Sequence, residues 1–218
     1  IVDNGTSVQN SEIFPRFGYQ AVEQILSSNV RKKHDLAVAT RAHDLEDTRY
    51  YDHSYAEAIL GANTAYLEFE TVVSTDVDQI AVAPGKLLSE KVEGNRRYFH
   101  YKVDGPIANY FAYMSGRYEA IKETYNGIDF GVYYHPAHKM NVHHILKAMK
   151  DSFDYFSENF GAYQHQQVSV LEYPGAKNSA QNFPNMIAYS ERAGFIHNMS
   201  NDNDNNQIYW VIAHEMAH

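Results

Sequence analysis

Phe130-Gly131-Val132-Tyr133-Tyr134 opens the segment that sets the architecture, and Gln167-Val168-Ser169-Val170-Leu171-Glu172-Tyr173 closes it, followed by the breaker Pro174-Gly175. Both runs are short, apolar and rich in β-branched or aromatic residues, which predicts strands. Between them Val142, Ile145, Leu146, Met149, Phe153, Phe156 and Phe160 recur at helical spacing over about five turns, with Asn141 in position for an N-cap. Strand, long helix and strand in that order predict alternating helix and strand from about residue 126 onward. Further along, Ile187 to Tyr189 predicts a short strand. Ile208, Val211 and Ile212 beside Trp210 predict a last helix, with Asp202 and Asp204 as candidate caps.

Upstream the pattern is different. Tyr66, Phe69, Thr71, Val72 and Val73 predict a strand, as does Gln79 to Ala83 before Pro84-Gly85. Glu93-Gly94-Asn95 separates Lys86 to Val92 from Arg96 to Val103, and Tyr110 to Tyr118 supplies another aromatic-rich strand. Consecutive antiparallel strands favour a β-sandwich, whereas residues 1–60 read as an irregular lead-in with short helices, one of them over Ala21 to Leu26. The expected fold class is therefore α+β. Residues 1–125 form the C-terminal part of an antiparallel β-sandwich and residues 126–218 a second domain, with the boundary near Tyr125.

At 218 residues and 44% hydrophobic, the chain can bury a substantial core. A formal net charge of −9 argues against a nucleic-acid surface, because the one basic run, Arg31-Lys32-Lys33, is followed at once by His34-Asp35. With no cysteine, metal ligands can come only from His, Asp and Glu. No apolar run is long enough to span a membrane, so the segment itself reads as soluble. Most of the eighteen tyrosines fall in expected strands, where packing accounts for them better than a carbohydrate- or peptide-binding surface does.

His214-Glu215-Met216-Ala217-His218 carries the chemistry. Two histidines four apart lie on one helix face, so both imidazoles can reach one metal ion, and the glutamate between them can serve as a base toward a water. A solvated amphipathic helix with two surface histidines is the alternative reading of these residues alone.

Together these features resemble the gluzincin aminopeptidases, the family of aminopeptidase N and leukotriene A4 hydrolase. The resemblance runs from Pro106-Ile107-Ala108-Asn109-Tyr110-Phe111-Ala112, which is similar to the end of that family's sandwich domain, through the zinc motif. It implies that residues 126–218 are the opening half of a thermolysin-like catalytic domain. More narrowly, Asn10 to Pro15, Asn95 to Tyr101 and Ala180 to Asn185 are similar to a bacterial branch fused to an ABC-transporter permease-like membrane region. That implies a membrane-embedded or transporter-associated bacterial parent, on a side of the membrane the sequence does not specify.

The resemblance implies a zinc-dependent metallopeptidase that hydrolyses a peptide substrate by way of a zinc-bound water. His214 and His218 are then zinc ligands, Glu215 the general base, and Ala180, Gln181 and Asn182 the substrate-binding strand. The family's third ligand, a glutamate, and its oxyanion-stabilising tyrosine are expected beyond His218. The chain alone is therefore expected to be inactive, to hold zinc weakly or not at all, and to self-associate through its uncovered last helix.

One departure bears on specificity. The family's Gly-Ala-Met-Glu-Asn motif uses its glutamate to bind the substrate's free amine, and here the aligned residues are the neutral Gln181 and Asn182. Exopeptidase action is left open by this, with Glu172 and Glu191 as possible substitutes for the lost charge. The alternative function is a non-catalytic, peptidase-like binding domain of a transporter-associated protein. His135, His138, His143 and His144 cluster near the start of the long helix and read as a solvated turn and helix surface in preference to a second metal site. Asp202 to Asn206 imitates a calcium loop, but Gln207 and Ala213 stand where glycine and glutamate are needed.

Overall fold

The computed structural model describes residues 5–15, 25–38, 66–175, 179–199 and 206–218. The chain divides into two compact units, one formed by Ile1–Ile13 with Tyr66–His218 and the other by Phe14–Ala65.

In the first unit the strands are β1 (Thr6–Gln9), β2 (Tyr66–Leu67), β3 (Glu70–Asp76), β4 (Ile80–Val82), β5 (Lys86–Glu93), β6 (Arg96–Lys102), β7 (Ile107–Ala108), β8 (Ala112–Gly116), β9 (Glu119–Tyr125), β10 (Ile128–Tyr134), β11 (Gln167–Tyr173), β12 (Ala180–Phe183) and β13 (Met186–Ser190). The short helix α1 (Asn10–Ile13) follows β1. In the second unit the described helix is α2 (Ser28–Lys33), whose last-turn residue Arg31 donates to the carbonyls of Ile25 and Ala37. Of the helix expected over Ala21 to Leu26, residues 21–24 lie outside the described residues, and Ile25 and Leu26 are not helical.

The first unit is α+β. Its largest sheet has the order β12-β13-β11-β10-β9. Strands β10, β11 and β13 run parallel, while β9 and β12 are antiparallel edges. Helix α3 (Val142–Asn159) makes the crossover from β10 to β11, as parallel neighbours require. Residue 125, where the sequence suggests a change of architecture, ends β9. Asn126 and Gly127, both at positive φ, turn the chain straight into β10, so the switch to helix–strand alternation occurs within one sheet.

Period-two alternation gives the sheet two apolar faces. Phe130, Val132, Val168, Val170, Ile187 and Tyr189 pack under α3 and the last helix, α4 (Gln207–Ala217), together with Ile145, Met149, Ile208 and Ile212. Tyr133, Leu171, Met186 and Ala188 face the other way, against Val82, Met114 and Tyr118 near a second sheet of order β1-β8-β4. The residues on either side of Val82, Ala81 on β4 and Ala83 just after it, turn to a third core with Phe69, Phe99, Tyr101 and Phe111. That core joins β4 to the third sheet, β3-β6-β5.

Asn141 begins α3 without the side-chain cap expected of it. Its Nδ2 instead donates to the carbonyls of Gly194 (3.0 Å), Phe195 (3.3 Å) and His197 (2.9 Å), tying the β10–α3 loop to a π-helical turn over Glu191–Phe195. Gly194 packs so closely on Tyr189 that a Cβ there would lie 2.6 Å from the ring. Asp202 and Asp204, the expected caps of the last helix, lie outside the described residues. Asn206 caps it, its Oδ1 accepting from the Tyr209 N–H at 2.9 Å. Among the described residues, no helix is long and apolar enough to cross a membrane.

Candidate functional site

Helix α4 buries Ile208, Ile212 and Glu215, which recur at i, i+4 and i+7, and this rotation leaves His214 and His218 exposed. Their Nε2 atoms lie 3.2 Å apart with the rings nearly perpendicular. Zinc–nitrogen bonds of about 2.0–2.1 Å at a tetrahedral angle separate two ligand atoms by about 3.3–3.4 Å, so the pair fits two positions on one ion. Trp210, one turn earlier, stacks on the His214 ring at 5.6 Å and 23°, which limits how that imidazole can turn.

Glu215 lies about a quarter-turn round the helix from the two histidines and is 7% exposed. Burial raises the Tyr110 and Tyr189 phenols above their ordinary pKa, and the Glu215 charge adds to both shifts. Both tyrosines therefore lie within electrostatic reach of this carboxylate.

The three residues expected to bind substrate lie on the edge strand β12. Ala180 pairs with Tyr189, and Gln181 with Ala188. Asn182 donates its Nδ2 to the Glu215 carbonyl at 2.8 Å, so this side chain docks α4 on the sheet. Gln181 is exposed, its amide donating to the Asn182 carbonyl. Strand β12 thus lies beside α4, with Asn182 committed to holding the two together and Gln181 left at the surface.

A second group lies at the carboxyl ends of the parallel strands. Glu172, near the end of β11, continues the face of Val168 and Val170, and Glu191, just after β13, continues that of Ile187 and Tyr189. His138 comes from the loop after β10. Glu172 is 3% exposed, Glu191 0% and His138 8%. His138 Nδ1 lies 2.5 Å from Glu172 Oε1, and Nε2 lies 3.7 Å from Glu191 Oε1. Glu172 Oε2 accepts the His135 backbone N–H at 2.6 Å, and Tyr118 donates to the Glu172 carbonyl.

Burial pushes the Glu172 carboxyl above the usual carboxylate range and the Glu191 charge adds to the rise, against the lowering pull of the hydrogen bonds from His135 and His138. Burial likewise lowers His135, with the His138 charge adding to the fall.

Proximity along the chain hides this group, because it puts His138 with His135, His143 and His144 and not with Glu172 and Glu191. His143 is exposed and His144 half-buried, their rings 4.3 Å apart on α3, whereas His138 turns inward. The signal was a glutamate in phase with the buried residues of an otherwise apolar strand.

No protein-family model matches the chain, and no curated protein matches it.

Proposed function

We propose that this chain carries part of a zinc-dependent, aminopeptidase-like metallopeptidase, with His214 and His218 as metal ligands and Glu215 as general base. The observation that carries the reading is the 3.2 Å separation of two exposed ring nitrogens on a helix whose intervening glutamate is buried beside an edge strand. Bound zinc supplies Lewis acidity and lowers the pKa of water toward neutrality. Glu215 accepts the proton of the attacking water and returns it to the leaving amine. Strand β12 offers an extended peptide its outer edge, where backbone groups can add a strand and Gln181 can meet the peptide's amino end through a neutral amide.

In this reading the β-rich part is the end of a β-sandwich, and residues 126–218 are the first half of a thermolysin-like domain of gluzincin type. The third zinc ligand comes from sequence downstream, and the parent is a membrane-associated bacterial protein. The absence of a charged residue at Gln181 and Asn182 favours a second reading, a peptidase-like domain that binds peptides without cleaving them.

Zinc content and peptide hydrolysis of the chain extended downstream of His218 separate the two. Activity lost on chelation and restored by zinc, with one zinc per chain lost in His214→Ala, is the expected result. An extended protein that binds peptide, does not cleave it and takes up as much zinc after His214→Ala as before supports the binding domain.

A further inference from the structure

The geometry points to a second divalent-cation site, separate from the zinc motif, in which His138 Nε2 and Glu191 bind the ion while Glu172 grips His138 Nδ1 and balances the charge. Among the described residues, these three side chains offer ligand atoms within 4.8 Å of one another. They converge at the ends of the parallel strands, His138 from the loop after β10, Glu172 from the last residues of β11 and Glu191 from just after β13. The carboxyl ends of parallel strands are where open α/β sheets bind ligands.

The two sides of the His138 ring are different. At 2.5 Å, the contact between Nδ1 and Glu172 Oε1 is a direct hydrogen bond. An ionised Glu172 can only accept, so Nδ1 carries the proton and the lone pair falls on Nε2. That nitrogen faces Glu191 Oε1 at 3.7 Å, too long for a direct hydrogen bond and within the range of about 3.3–4.0 Å expected of two ligands sharing one ion. A carboxylate on the far nitrogen of a ligating histidine is the usual device for fixing its tautomer and orientation. Glu172 is itself fixed by the His135 N–H.

Charge gives the second reason. Two carboxylates buried to this depth are costly to ionise. A dication between them brings the group to zero net charge. The nitrogen–oxygen donor set, with no cysteine in the chain, suits zinc or manganese and disfavours soft cations.

The test uses the full chain with His214→Ala and His218→Ala together, which removes the exposed pair and leaves the buried trio intact. After chelator dialysis, this protein is titrated with zinc by calorimetry, and its melting temperature is read with zinc and with chelator. One site per chain and a melting temperature raised by zinc are expected. In that background, His138→Ala or Glu191→Gln abolishes the site, and Glu172→Gln weakens it by about 10- to 100-fold. No zinc uptake and no zinc-dependent melting shift in the double variant overturn the proposal, whether or not the trio variants fold. So does uptake that is equally tight after His138→Ala and Glu191→Gln, which assigns the ion to surface histidines.

Discussion

His214 and His218 stand four residues apart on an exposed helix face, whereas His138, Glu172 and Glu191 come from three separated segments and meet in the interior. The first group is assembled by local helix geometry alone, and it depends on the rest of the fold only for the direction in which α4 faces. The second exists only when β10, β11 and β13 are in register and the loops that follow them are in place. An exposed imidazole pair costs the fold little, while a buried charged trio makes each member depend on the others. Disturbing the trio should therefore unsettle the protein, and disturbing the pair should silence it without unfolding it.

The largest expected stability effect separates the two groups. His138→Ala leaves two buried carboxylates without the ring between them, and we expect a loss of about 3–5 kcal/mol in urea unfolding. His214→Ala should change the unfolding free energy by less than about 0.5 kcal/mol, as a surface substitution. Equal losses would erase the distinction.

Next in size is Gly194→Ala. The new Cβ meets the Tyr189 ring at 2.6 Å in the turn that carries Glu191, and overpacking there should cost about 1–3 kcal/mol. Tryptic cleavage around Arg192 should accelerate with it. Smaller still is Asn206→Ala, which removes the Oδ1 acceptor for Tyr209 and should cost about 1 kcal/mol. That change should fray α4 and weaken zinc uptake at the exposed pair, while leaving the trio's hydrogen exchange unaltered.

The pH dependence sharpens the same comparison from the interior. Burial holds the Tyr118, Tyr163 and Tyr189 phenols well above their ordinary values, with Glu172 adding to the shift at Tyr118 and Glu215 at Tyr189. Unfolded tyrosine titrates near pH 10. Above that pH the unfolded chain has released protons that the folded chain still holds, so stability falls as pH rises through this window. The melting temperature should drop steeply from about pH 10, and phenolate absorbance should rise together with unfolding and not before it.

Much of the fold was legible because its periodicities are local. Phe130 to Tyr134, the helix of Val142 to Phe153 and Gln167 to Tyr173 follow from alternation and helical spacing, and each is an element in the structure. The edge strands were not legible. Strand β9 reads Glu119-Ala120-Ile121-Lys122-Glu123-Thr124-Tyr125 and is mostly exposed, so it lacks the apolar alternation that marks a half-buried strand. Strand β12 carries Gln181 and Asn182, and its pairing with β13 comes from the turn at Pro184-Asn185, where Asn185 sits at φ 53° and its Oδ1 accepts from Gly85 and Gln167.

The approach of His214 to His218 was legible as a spacing on one helix. The partners of Glu172 were not, because His138 and Glu191 lie 34 and 19 residues away and only the sheet order brings them together. Asn141 shows the same limit on a smaller scale. Its position predicts a cap, and the tertiary carbonyls of the π-helical turn claim its side chain instead.

The most direct test of the hydrolytic reading is peptide cleavage by the downstream-extended protein and its Glu215→Gln variant at equal zinc content. Our account predicts that the variant keeps its zinc and loses about 100- to 10,000-fold in kcat. Equal rates in the two proteins, or no cleavage by the zinc-loaded parent across free and amino-blocked peptides, would contradict it.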